Sequence, residues 1–165
     1  MRTVNRHVSL LFRMGERHLN SHLDGTGVTS GTAPLLLELR AGGERPLSAL
    51  AVAVGVDKAH ITRSIRVLEK AGHVSVEPSA AGGRRLTASL TRQGRQVADR
   101  VERAMLAWVE IVSQGVDPAD LEVTNAVFDQ FYANALEHFA ALTGPPRHEP
   151  TEAAERPPGR QRSRG

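Results

Sequence analysis

The chain has 165 residues, 40% of them apolar and 4% aromatic, with no cysteine and a net charge of +3. That length holds one domain whose core must come from Leu, Val and Ala, and the absence of cysteine excludes disulfides and thiol redox chemistry. Residues 144–165 carry five arginines against three glutamates, so residues 1–143 are nearly neutral and a nucleic-acid contact needs local clustering of charge.

No apolar run approaches the roughly 20 residues of a membrane span. Met1-Arg2-Thr3-Val4-Asn5-Arg6 leads into no apolar signal-peptide core, so the expected location is the cytoplasm, at the nucleoid. Residues 4–23 predict a first helix, with Val4, Val8, Leu11, Gly15, Leu19 and His22 on one face. Asp24-Gly25-Thr26-Gly27 ends it. A second helix starts near Ser30 or Thr32, tolerates Pro34 in its first turn, carries Leu35, Leu36, Leu37 and Leu39, and stops at Gly42-Gly43.

The third helix runs from about Leu47 to Val54, and Asp57 caps a fourth that ends at Gly72. Ala51 is small where two helices cross, and Gly55 supplies a turn conformation that a side chain resists. Leu50, Val54, Val56, Ile61, Ile65 and Leu68 have the spacing that packs two such helices on a core. Lys58, His60, Thr62, Arg63 and Arg66 are left outside. This is a helix-turn-helix of the type that enters a DNA groove.

Val74–Glu77 and Leu86–Leu90 predict two strands, with Leu86, Ala88 and Leu90 alternating against Thr87 and Ser89. Pro78-Ser79-Ala80-Ala81-Gly82-Gly83 joins them as a hairpin loop. Thr91 caps a long fifth helix to about Ser113, with Val97, Val101, Ala104, Trp108 and Ile111 on one stripe. Asp117-Pro118 opens a sixth, with Leu121, Phe128, Phe131, Ala135, Phe139 and Leu142 as its apolar residues. Five of nine prolines fall after Thr143, and residues 144–165 read as a disordered tail.

The expected fold is mostly α. A winged helix-turn-helix DNA-binding lobe with a two-stranded wing covers about 30–91. The first, fifth and sixth helices, about 4–23 and 92–142, form a helical dimerisation region, and residues 1–143 make a single domain. These three helices carry more apolar face than one small DNA-binding module covers, which points to a two-fold homodimer.

The order of elements resembles the MarR family of bacterial transcriptional regulators. The matching residues are Leu50-Ala51, Gly55-Val56-Asp57-Lys58-Ala59, Ile61-Thr62-Arg63, Leu68-Glu69-Lys70-Ala71-Gly72, Arg84 and Leu90-Thr91-Arg92-Gln93-Gly94, across about residues 4–142. The resemblance implies a homodimer with the first, fifth and sixth helices intertwined, and a repressor commonly released by a small-molecule ligand. It also implies a recognition helix in the major groove and a wing in the adjacent minor groove. Two departures stand out. Gly82 occupies the place of the acidic residue that usually braces the wing arginine, and Val76 stands where the first wing strand tends to carry arginine.

Lys58, His60, Thr62 and Arg63 lie where a recognition helix meets bases; Lys or Arg can bond guanine O6 and N7, and Thr62 a thymine methyl. Arg66 is placed for phosphate, and Arg84 and Arg85 for a minor groove. One such helix per subunit predicts a pseudo-palindromic double-stranded operator with half-sites roughly 10 bp apart. Arg13, Arg17, His18 and Trp108 are candidate contacts for a small-molecule effector, although Trp108 also suits plain packing. His18 and His22, four apart, are weak candidates for a metal, so a zinc- or other metal-responsive regulator is one alternative. A winged helix acting mainly through protein–protein interaction is another. No cofactor motif and no catalytic set is present, and an enzyme is not expected.

Overall fold

Residues 2–79 and 86–143 are described by the structure, a computed structural model, with side chains for 5–79 and 86–138. The elements are α1 (Arg2–His22), α2 (Ala33–Gly42), β1 (Arg45–Pro46), α3 (Leu47–Ala53), α4 (Lys58–Lys70), β2 (Val74–Pro78), β3 (Leu86–Leu90), α5 (Arg92–Ser113) and α6 (Pro118–Thr143). They fall into two units, Met1–Gln114 and Gly115–Gly165. The hairpin tip expected at 80–83 and the tail expected at 144–165 lie outside the described residues.

The core of the first unit is aliphatic. Leu23, Leu35, Leu36 and Leu39 come from the end of α1 and from α2; Leu50, Ile61, Ile65 and Leu68 come from α3 and α4; Ala98 and Val101 come from α5. Full burial of each Leu or Ile contributes roughly 2 kcal/mol before entropy is subtracted. The residues expected to pack α3 on α4 do so, with Val54 and Val56 half-buried at its edge. Between them Gly55 has φ +69, and the Val56 N–H donates to the Ala51 carbonyl at 3.0 Å. That left-handed residue turns the chain within three residues, and a Cβ there would strain it.

The sheet corrects one expectation. It has three antiparallel strands in the order β1-β3-β2, not two. Arg45 pairs with Ala88 and Pro46 with Thr87, so the residues just before α3 add an edge strand. Pro46 is tolerated because an edge position leaves its missing N–H unneeded. The alternation in β3 also differs at its start: Leu86 is exposed, whereas Thr87 is buried and donates its hydroxyl to the Glu77 carbonyl at 3.3 Å.

Capping joins the sheet to α5. Thr91 accepts the Gly94 N–H at 2.9 Å and donates its hydroxyl to the Gly72 carbonyl at 2.7 Å. His73, almost fully buried, gives its Nε2 proton to the Thr26 carbonyl at 2.7 Å, tying the end of α4 to the loop after α1. Its Nδ1 has no hydrogen-bond partner among the described residues. On the surface, Arg40 of α2 pairs with Asp99 at 2.9 Å and with Glu102 on α5, and Arg45 pairs with Glu38 at 2.6 Å. These pairs are part-exposed and stabilise less than the packing beneath them.

The second unit contributes α6. Asp117 caps it, accepting the Ala119 N–H at 2.8 Å. Val123, Val127, Phe128, Phe131, Tyr132 and Leu136 are all exposed, and Phe128 meets Phe131 edge-on at 6.1 Å. The side chains of Phe139 and Leu142 lie outside those described. No described helix is long and apolar enough to cross a membrane.

Candidate nucleic-acid interface

The surface of α4 begins with its cap. Asp57 Oδ1 accepts the His60 N–H at 2.7 Å, which satisfies one of the free donors at a helix start. That bond holds the Asp57 carboxyl below its ordinary range, helped by the Ala59 N–H and by the charges of Arg63 and His60, against a smaller opposing effect of burial. A lowered carboxyl stabilises the fold above the unfolded value of about 4 and loses that effect as pH falls through the folded one. Asp57→Ala should therefore melt below wild type at neutral pH. The gap should close in a thermal melt series taken down through pH 4, and a gap independent of pH would contradict the capping role.

Buried Ile61, Ser64, Ile65 and Leu68 anchor one side of α4. At about 100° per residue, the opposite arc runs Lys58, Glu69, Thr62, Arg66, Ala59, Lys70, Arg63, Val67 and His60. Lys58, His60, Arg63 and Arg66 are exposed and Thr62 is half-buried, so the five residues nominated from sequence share one helix surface. Lys58, Arg63, Arg66 and Lys70 stand against Glu69 alone within the thirteen residues of the helix. This is a local positive cluster within the nearly neutral residues 1–143.

Side-chain detail refines the roles. The Thr62 hydroxyl donates to the Lys58 carbonyl at 2.8 Å, so its methyl is the group left for a neighbour. Arg63 sits well inside the arc, while His60 lies at its rim beside the Ser64 side. Ala59 and Val67, also exposed on this arc, were missed by a sequence reading that sought only polar residues. Their angular position was the available signal. Arg84, Arg85 and Gly82 lie outside the described residues.

The candidate effector residues do not all come together. His18, His22 and Trp108 form a ring cluster, with centroids 4.2 Å apart for the two histidines and 5.5 Å apart for His18 and Trp108. The Trp108 indole lies over Gly15, its Nε1 3.0 Å from where a Cβ would stand, so α1 and α5 approach closely there. Arg13 instead donates to the Ser9 carbonyl of its own helix, and Arg17 is exposed.

Residues 26–85, from the loop after α1 through the hairpin, match the MarR family model. That segment, which holds α2 to α4 and β2, is similar to the MarR family. No curated protein is similar enough in sequence to match it. Solved MarR-family structures share the fold beyond that segment. A MarR transcriptional regulator from Methanosarcina mazei Go1 superposes with a TM-score of 0.74 at 23% identity, covering 83% of this chain and 99% of that one. A mutant MarR from E. coli, complexed with operator DNA, gives 0.70 at 16% identity over 78% and 93%. Bordetella bronchiseptica BpsR, whose DNA binding is regulated by 6-hydroxynicotinic acid, gives 0.68 at 17% identity over 79% and 98%. At these identities the likeness shows the shared fold.

Proposed function

We propose that the protein is a homodimeric transcriptional repressor that reads a pseudo-palindromic operator through α4 of each copy and leaves it when a small molecule binds. The observation that carries this reading is the exposed arc of α4, where Lys58, Thr62, Arg63 and Arg66 stand clear of a buried anchor. Lys58, Thr62 and Arg63 take the base contacts, with His60 at the rim; Arg66 takes phosphate, and Arg84 and Arg85 the minor groove.

A second copy is supported by large apolar side chains that one chain leaves in water. Phe12 on α1 is 66% exposed, Leu106 on α5 58% and Tyr132 on α6 64%. Exposed apolar surface on this scale marks an interface. The effector rests on two supports: the His18–Trp108 ring cluster and the small-molecule control of BpsR.

Two measurements on the purified protein test the reading. Sedimentation equilibrium should give a dimer at micromolar concentration, and Leu106→Glu combined with Phe131→Glu should give a monomer. A gel shift on the region upstream of its own gene should show a retarded band at low salt. A wild-type monomer overturns the dimer, and no shift on any neighbouring fragment overturns the repressor.

A further inference from the structure

We propose that His18 and His22 form an open site for a divalent transition metal of the copper, nickel or zinc class, with water completing the coordination. The argument begins with protons. His18 Nε2 lies 3.1 Å from the Ala104 carbonyl oxygen, and His22 Nδ1 lies 2.8 Å from the His18 carbonyl oxygen. A carbonyl only accepts, so each of those ring nitrogens carries the hydrogen. In a neutral imidazole the other nitrogen is then a bare lone pair: Nδ1 of His18 and Nε2 of His22. Metal-binding histidines ordinarily have this arrangement, with the outer N–H anchored on an oxygen that fixes the tautomer and raises the basicity of the ligand nitrogen.

Position brings the two rings together. Residues four apart share a helix face, and the ring centroids are 4.2 Å apart. His22 is exposed and His18 half-buried, so an ion has access from water. No group of three or more His, Cys, Asp or Glu that could hold a metal occurs among the described residues. The site therefore has two protein ligands, both imidazole. That donor set disfavours Ca2+ and Mg2+, which want oxygen, and ranks Cu2+ first by the usual order of affinities.

Trp108 supplies the readout. It is the only tryptophan, and its ring is 5.5 Å from His18. Cu2+ is paramagnetic and quenches an adjacent indole. Titrating the full chain with copper chloride in a non-chelating buffer near neutral pH should give saturable quenching that EDTA reverses. His22→Ala, at an exposed position that leaves the core untouched, should lose the saturable phase. His7→Ala, eleven residues before His18 on the same helix, should keep it. Circular dichroism of both variants checks that the helix persists. Quenching that rises linearly without saturating, or the wild-type curve persisting in His22→Ala, overturns the site. Neither result bears on operator binding, so the site and the repressor reading fail separately.

Discussion

Gly94→Ala should leave the protein unfolded or aggregated under conditions where the wild type is folded. A Cβ built on Gly94 meets the His73 carbonyl oxygen at 1.9 Å and its carbon at 2.8 Å. Ordinary contact needs about 3.5 Å, so the two backbones would have to part by more than about 1 Å. Neither atom belongs to a side chain that can swing away. Parting them also breaks what surrounds the contact. The Thr91 N–H donates to that same His73 carbonyl at 3.0 Å, and the Thr91 hydroxyl caps α5 through Gly94. Loss of the cap costs about 1 kcal/mol. Overpacking adds roughly 1–3 kcal/mol, and freeing the buried His73 groups about 1–3 kcal/mol more. Against a total stability of about 5–15 kcal/mol, this is a folding defect rather than a local one. Gly31→Ala is the control. Its nearest neighbour is Thr29 Oγ1 at 3.8 Å, and it should melt close to wild type. A Gly94→Ala protein that also melts within a few degrees of wild type would show that α5 can slide on the end of α4.

The Gly94 contact links fold to function, because it sets the start of α5 against the end of the proposed reading helix. It also shows what a sequence withholds. Gly94 stood out only as part of a family pattern, since the atom that demands a glycine lies twenty-one residues earlier in the chain. His73 was silent for the same reason. Its partner, the Thr26 carbonyl, is 47 residues away, and nothing in local spacing announces a buried histidine.

What could be read was local. Asp57 and Thr91 are side-chain caps because each accepts an N–H three residues on, a fact written in adjacent residues. The α3–α4 turn was legible because Gly55 sits between two apolar periodicities that meet on one core. The edge strand β1 was not, because two residues, one of them proline, have no alternation to detect. Arg13, a candidate effector contact, donates to the Ser9 carbonyl of its own helix, a side-chain conformation that residue type and spacing do not reveal.

On the DNA side, the largest single loss should come from Arg63→Ala. Arg63 is exposed well inside the arc of α4, close to the N-terminal end that the proposed reading puts in a groove. A guanidinium there can engage guanine O6 and N7 with two parallel hydrogen bonds. Its removal should weaken operator binding by about 1–3 kcal/mol, roughly 5- to 150-fold, while leaving binding to unrelated DNA nearly unchanged. Arg66→Ala should behave differently. One turn beyond Thr62, it is placed for phosphate, so its loss should weaken all sequences alike and lower the slope of log K against log salt by about 1. Both side chains are exposed, so neither change should cost more than about 0.5 kcal/mol of stability. Fluorescence anisotropy on operator and scrambled duplexes at three salt concentrations separates the two roles. If Arg63→Ala bound the operator as tightly as wild type, the base-reading edge would have to lie elsewhere on the arc, at Lys58 and Thr62. If it lost both duplexes equally, Arg63 would be a backbone contact, and discrimination would rest on the methyl groups of Ala59 and Thr62 beside it.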